Sequence, residues 1–202
     1  MTDLLIATTN PGKIVEIQDL LEGLPFRLHL PADLGIRLHV EETGRTYAEN
    51  AALKARAYCD AGGMLTLADD SGLEVAALGG APGLHSARFS PRPGASDADR
   101  RALLRQKLVE TGSPRPWTAR FRCVVTIAAP GRAMQFREGT IEGEIWPEER
   151  GSNGFGYDPL FYMPDLGQTM AELPDEMKNT LSHRGRAVAQ ARAVLIDIFG
   201  LA

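Results

Sequence analysis

Cysteine is scarce in this 202-residue chain: only Cys59 and Cys123. Two thiols cannot build a disulfide framework, and they lie in helix-like and strand-like patterns, so buried free thiols in a reducing, cytoplasmic setting are expected. The four histidines show no HxH, HExxH or Cys-His spacing, which argues against zinc. No Gly-x-Ser-x-Gly elbow is present, so acyl transfer has no support. No apolar run reaches the length of a membrane span, and a strand pattern begins almost at once, leaving no visible signal peptide; no membrane partner is expected. Basic charge is not in excess either. The net charge is −4, so the chain carries no global footprint for duplex nucleic acid, although a local basic pocket stays open. Repeats, low-complexity tracts and flexible linkers are missing. What remains is ordinary globular composition, 44% apolar and 24% charged, and a single domain over 1–202 is expected, as two lobes without a separate linker.

The most informative stretch follows the apolar run Leu4-Leu5-Ile6-Ala7. Thr8, Thr9 and Asn10 supply hydroxyl and amide groups, Pro11 and Gly12 a tight turn, and Lys13 a fixed positive charge before a helical pattern. Free N–H groups at a helix start form an anion site, and Gly12 lets backbone approach a ligand. A phosphate-bearing ligand is therefore indicated. A Walker A loop is not, since it requires glycine where Ala7 stands and Ser or Thr where Ile14 stands. The same residues also describe a plain strand–turn–helix connection with an Asn10 cap.

Strand and helix patterns then alternate. Ile14, Ile17, Leu20 and Leu21 recur at helical spacing, and Arg27 to Leu30 reads as a short strand. Thr46-Tyr47-Ala48-Glu49 reads as a capping box, opening a helix with Ala48, Ala51, Ala52, Ala55 and Cys59 on its buried stripe. Asn50 and Lys54 sit one turn apart beside that stripe, and Gly62-Gly63 ends the helix. Met64 to Ala68 is a short apolar strand running into Asp69-Asp70-Ser71-Gly72, and Gly79 to Gly83 is a loop. Ser96 to Asp99 caps a helix containing Leu103, Leu104 and Leu108. Ala119 to Ile127 and Thr140 to Trp146 alternate as strands, Gly151 to Pro159 is a Gly-rich loop, and Ser182 caps a last helix with Val188, Ala191, Leu195 and Ile198 inward. The alternation indicates an α/β fold whose sheet has antiparallel parts.

Two constellations carry chemistry. Asp69 and Asp70 follow an apolar strand, where α/β proteins place ligand sites. Adjacent acids on extended backbone diverge, so one is expected to face the cleft, and Asp69→Asn is expected to be milder than Asp70→Asn. Asp70 with Glu41 or Glu42 would satisfy Mg2+, which takes one or two carboxylates with water and substrate phosphates. The plain alternative is a set of solvated loop acids. Asp-Asp-Ser lacks the DxD pattern of a phosphatase nucleophile, so water attack is favoured. Farther on, Phe155, Gly156, Tyr157 and Asp158 offer aromatic faces for stacking and an acceptor for a ring N–H. Lys178, His183 and Arg184 add donors that match purine oxo groups.

Taken in order, these segments resemble the inosine triphosphate pyrophosphatase family. The likeness runs through Ala7 to Lys13, Glu42-Thr43-Gly44, Glu49 to Ala55, Ala68 to Leu73, Leu78 to Gly83, Ser86-Ala87-Arg88, Gly154 to Pro159, Met170 to Leu173, Lys178 and Ser182-His183-Arg184. The resemblance implies an elongated mixed sheet with flanking helices, forming two lobes around a nucleotide-binding cleft. It implies a homodimeric, Mg2+-dependent hydrolase that takes ITP, dITP and XTP to the monophosphate and pyrophosphate. Carried over by position, Thr8, Thr9, Asn10, Pro11, Gly12 and Lys13 hold the triphosphate. Asp70 and Lys13 are catalytic, Asp70 and Glu42 hold metal, and Ser71 contacts substrate. Phe155, Gly156, Tyr157, Asp158, Lys178, His183 and Arg184 form the base pocket. Two competing readings are a nucleotide sensor without turnover and a nucleic-acid binder using Arg100, Arg101, Arg120 and Arg122. Net acidity disfavours the second.

Overall fold

The computed structural model describes residues 1–199, without the side chains of Ile198 and Phe199, so the expected inward Ile198 lies outside the described residues. The elements are β1 (Thr2–Ile6), α1 (Pro11–Leu21), β2 (Phe26–His29), α2 (Tyr47–Gly62), β3 (Leu65–Val75), α3 (Asp97–Glu110), β4 (Trp117–Ala128), β5 (Gln135–Ile145), β6 (Phe161–Met163), β7 (Gln168–Thr169), α4 (Asp175–Leu181) and α5 (His183–Val194). The strands form a seven-stranded sheet in the order β2-β1-β3-β4-β5-β6-β7. β1 runs parallel to β2 and β3, pairing Leu4 with Leu28 and with Leu65. β6 is antiparallel to β5 and β7. The sheet is therefore mixed, with flanking helices, as the α/β alternation indicates.

Local chemistry sets the helix ends. Asn10 caps α1 through its side chain, which accepts from the Lys13 N–H, and Pro11 occupies the first turn, where a missing N–H costs nothing. Thr46 caps α2 in the same way through the Glu49 N–H. The helix stops where Gly63 turns to φ 61°, a left-handed value that glycine adopts without strain. A reciprocal Ser96–Asp99 capping box opens α3.

The chain divides into two compact units. The first comprises residues 1–70, 123–139 and the chain from 183 onward; the second comprises 71–122 and 140–182. In the first, Leu4 and Ile6 of β1 join Ile17, Leu21, Cys123, Val125, Ile127, Val188 and Ala191. Leu5 and Ala7 point the other way, onto Ala55, Tyr58 and Cys59 of α2. Alternate residues of β1 thus feed two cores, which is why its run is apolar throughout. The second unit packs Leu73 and Val75 with Leu104, Leu108, Trp117, Phe121, Ile141, Phe161 and Met170. Its Phe121 and Phe161 rings lie 4.6 Å apart. Both cysteines are buried and unbridged, and among the described residues no helix is long and apolar enough to cross a membrane.

Three features differ from expectation. β3 does not stop at Ala68 but continues through Asp69-Asp70-Ser71-Gly72 to Val75. The acids are strand residues, not solvated loop acids, because each meets cations from other elements. The short helix α4 and the strands β6 and β7 were not anticipated; seven, three and two residues long, they carry too few periods to register.

Candidate active site

In the first unit, β1 delivers the chain to the turn that starts α1. Thr8 Oγ1 accepts from the Asn10 N–H at 3.2 Å, and Asn10 Oδ1 accepts from the Lys13 N–H at 3.2 Å. Thr9, Asn10 and Pro11 are exposed, Thr8, Gly12 and Lys13 partly so. The turn thus presents a helix N-terminus to solvent. Lys13 Nζ leans from the first turn of α1 onto Asp69 Oδ2 at 3.0 Å.

Asp69 and Asp70 diverge, and each meets its own cations. Asp69, wholly buried, receives Lys13 and also Arg184, whose Nε and Nη2 lie 3.3 and 3.2 Å from the same Oδ2. Burial alone would raise the Asp69 pKa, but Lys13 and Arg184 outweigh it and hold the carboxyl well below the usual range. Asp70 faces α2. Its Oδ1 lies 3.1 Å from Lys54 Nζ, and its Oδ2 accepts from Asn50 Nδ2 at 3.4 Å. Burial pushes the Asp70 carboxyl above its ordinary value, Lys54 and Lys13 pull it back, and Glu42 adds to the rise.

Glu42 accepts from Lys54 Nζ at 2.8 Å, so one ammonium bridges the Glu42 and Asp70 carboxylates. Exposed Glu41 makes no such bridge. Burial would lower the Lys54 pKa, but Asp70, Asp69 and Glu42 together raise it. Gly44 sets this corner. Its N–H donates to Asn50 Oδ1 at 2.8 Å, which turns the amide so that Nδ2 faces Asp70. A Cβ on Gly44 would stand 2.6 Å from Asn50 Oδ1 and 2.7 Å from Glu49 Cβ, so only glycine lets this segment approach α2.

The start of α5 brings His183 and Arg184, both buried, into the first unit. Gly139 of β5 makes room: a Cβ there would collide with the His183 carbonyl oxygen and reach 2.6 Å from Ala187 N. The Arg184 guanidinium is engaged by Asp69 and, through Nη1, by Glu16 Oε2 at 2.5 Å. Burial works against its charge, and Asp69 and Glu16 raise its pKa.

In the second unit, Asp158 is buried against Lys178, with Nζ 2.5 Å from Oδ2, and the same oxygen accepts from the Phe155 N–H at 2.9 Å. Lys178 Nζ lies 5.1 Å from the Phe155 ring centroid, a cation–π distance. Gly154, at φ 73°, has no room for a Cβ, which would strike Asp158 Oδ2 and Lys178 Nζ. Phe155 keeps a partly exposed ring. Tyr157 is buried, with its hydroxyl donating to the Ser86 carbonyl at 2.9 Å. The loop is not free at this point: Gly156 donates to Asp97 and accepts from Arg101, both at 2.8 Å. Ser71, half-buried in β3, belongs to this unit as well. The sequence-predicted residues therefore fall into two sets: Thr8 to Lys13, Glu42, Asp70, His183 and Arg184 in the first unit, and Ser71, Phe155 to Asp158 and Lys178 in the second.

The family whose sequence pattern matches residues 4–194 is described as the Ham1 family. The chain belongs to that family. It is 46% identical over 196 residues to a dITP/XTP pyrophosphatase of Desulforamulus reducens, covering 97% of this chain and 96% of the relative. It is 46% identical over 189 residues to one of Geobacter sulfurreducens, covering 94% of each. Among solved structures, a HAM1 protein from Coxiella burnetii superposes with a TM-score of 0.88 at 39% identity, covering 98% of this chain and all of that one. The Staphylococcus aureus Ham1 protein gives 0.84 at 38% identity, over 96% and 98%.

For this Ham1-family chain, sequence reasoning passed over Glu16, Asp69 and Lys54 as site members. Glu16 had one signal, an acid inside the apolar stripe of Ile14, Ile17 and Leu21. Lys54 had another, its position one turn after Asn50. Asp69 was set aside because its cations come from α1 and α5, which no local pattern connects.

The donor set suits a hard divalent cation. Glu42 and Asp70 are two carboxylates that already share one positive centre, Lys54 Nζ. Among the described residues no three His, Cys, Asp or Glu side chains converge to hold a metal ion. A cation here would thus draw its remaining ligands from water and substrate oxygens, the habit of Mg2+.

Proposed function

We propose that this chain hydrolyses inosine and xanthosine triphosphates, ITP, dITP and XTP, to the nucleoside monophosphate and pyrophosphate. The observation that carries the reading is the Lys54 ammonium bridging partly buried Glu42 and buried Asp70 beside the Lys13–Asp69 pair, in a chain nearly half identical, end to end, to proteins named dITP/XTP pyrophosphatases.

In this reading the first unit takes the triphosphate. Thr8 to Gly12 offer hydroxyl and backbone N–H groups to phosphate oxygens, and Lys13 offsets charge on the departing pyrophosphate. Asp70 orients a water for in-line attack at the α-phosphorus and accepts its proton, an effect of about 10²–10⁴-fold for a placed general base. Burial favours that role by raising its proton affinity. Asp70 and Glu42 would hold Mg2+, which when bound adds positive charge against the phosphate oxygens. Ser71 contacts the substrate next to Asp70.

The base is assigned to residues of the second unit and, in the first, to His183 and Arg184. Phe155 offers its ring for stacking beside Gly156 and Tyr157, Asp158 accepts from the ring N1–H, and Lys178, His183 and Arg184 donate to oxo groups. Hypoxanthine and xanthine complement that set. Adenine, with an amine at position 6 and a bare N1, opposes donor to donor and acceptor to acceptor. Each unpaired buried group costs about 1–3 kcal/mol, so two mismatches give roughly 10²–10⁴-fold rejection of ATP. Rejection of GTP is also expected, through its position-2 amine near Arg184, and Arg184→Ala should shrink that preference. The reading further includes a homodimer in the cytoplasm, and sedimentation of the purified chain at twice its mass of 21.9 kDa tests the first half. Steady-state rates on ITP, XTP, GTP and ATP with Mg2+ test the base assignment; equal kcat/KM on ATP and ITP would sink it.

A further inference from the structure

One buried acid lies outside every role assigned above. Glu16 sits on the inner face of α1, only 8% exposed and flanked by the core residue Ile17. It follows Lys13 by three residues, so both lie on one helix face. An acid on such a face has to be paired, and the pairing here closes a chain. Glu16 Oε2 meets Arg184 Nη1 at 2.5 Å. The other edge of the same guanidinium, Nε with Nη2, closes on Asp69 Oδ2 at 3.3 and 3.2 Å. Asp69 Oδ2 in turn holds Lys13 Nζ at 3.0 Å. Charges alternate from Glu16 through Arg184 and Asp69 to Lys13, and the chain starts and ends on α1.

We infer that Glu16 is a positioning residue: by fixing the Arg184 guanidinium it sets where Asp69 holds Lys13, and so tunes the grip of the phosphate turn without touching substrate. The inference rests on the pyrophosphatase reading of this site. The planar fork explains why it works. With Nη1 held by Glu16, the guanidinium has one orientation, and its Nε/Nη2 edge points at Asp69. Because the two cations share a single Asp69 oxygen, moving one changes the place of the other. In a water-poor interior such linked contacts reinforce one another. A merely stabilising ion pair would show no such dependence on Lys13.

A double-mutant cycle on the full chain separates the two roles. Wild type, Glu16→Gln, Lys13→Met and the double variant are compared for ITP hydrolysis with Mg2+ and for urea stability. Glu16→Gln should lower kcat/KM by about tenfold, through KM and kcat together, when Lys13 is present, the middle of the range for groups in one network. In the Lys13→Met background it should change kcat/KM by less than about twofold. An equal loss in both backgrounds overturns the inference and leaves Glu16 a structural residue. Should Glu16→Gln not fold, Glu16→Asp, which keeps the charge but shortens the reach, enters the same cycle with the same two outcomes. Calorimetric binding of inorganic triphosphate to the four proteins reads the coupling without turnover. Coupling there in a wild type that does not hydrolyse ITP would sink the hydrolase reading and leave the inference standing.

Discussion

Asp69 and Asp70 are adjacent and chemically identical, yet the structure gives them opposite surroundings. Asp69 is clamped between Lys13 and Arg184 and stays ionised far into acid. Asp70, facing Lys54 and Glu42, binds a proton more readily than an ordinary aspartate. Asp70→Asn keeps the shape and removes the base; kcat for ITP should fall by about 10²-fold or more while ITP binding, read by calorimetry, is largely kept. Near-wild-type turnover would remove Asp70 from the mechanism. Asp69→Asn should act first on stability, because it leaves buried Arg184 and partly buried Lys13 facing a neutral amide, a loss of about 3 kcal/mol at neutral pH. The sign with pH follows from the lowered pKa. The Asp69 contribution is complete above the ordinary value of 3.8 and fades as pH falls toward the folded value, so the gap between wild type and Asp69→Asn should narrow on acidification. Urea titrations at neutral and acid pH check this, and a gap that widens in acid would contradict it. The expectation that Asp69→Asn is the mild member of the pair thus needs splitting: milder at the chemical step, severe for the fold.

At the scale of elements, the Thr8 to Lys13 turn and its helix are legible because their causes are local. An Asn cap, a proline in the first turn and an apolar stripe lie within a dozen residues, and α1 begins where they say. The same holds for Thr46 at the start of α2 and Ser96 at the start of α3. The sequence pattern of β3 ends short of the strand itself, because charged residues look like a strand's end. What offsets the burial of Asp69 in the strand is Lys13 together with Arg184, the latter 115 residues away, and a window along the chain cannot see those partners. Gly44 belongs to this scale too, since it fixes a segment, not a side chain. Gly44→Ala would press on Asn50 and Glu49 and pull Glu42 from Lys54. We expect a loss of about tenfold or more in kcat/KM for ITP, with stability lowered by about 1 kcal/mol, the typical cost of a point substitution. A variant with full activity would mean that the Glu42–Lys54 contact is dispensable. Gly154→Ala tests the other unit. Its left-handed φ and the Asp158–Lys178 pair leave no space, so KM for ITP should rise while kcat changes less. An unchanged KM would detach that pair from base binding.

For the whole molecule, β1, β3 as far as Asp70 and α5 fall in one unit, and the rest of β3, the Gly-rich loop and α4 in the other. The α/β class could be read from alternating patterns. The strand order could not, because it depends on contacts between distant segments and because β6 and β7 are too short to announce themselves. The candidate residues read from the sequence form two separate lists, a helix-start turn with acids and an aromatic loop with donors, and the structure places most of each list in its own unit. The contacts of Glu16 with Arg184, and of Lys54 and Asn50 with Asp70, are not legible there, since each of those residues gains its meaning from a partner in another element. The central claim is that these groups direct water to the α-phosphorus, so that the bond broken lies between the α and β phosphates. The most direct measurement is product analysis of ITP incubated with the purified chain and Mg2+, with phosphate-containing products separated and quantified. The account predicts IMP and pyrophosphate in equal amounts; IDP with orthophosphate would contradict it.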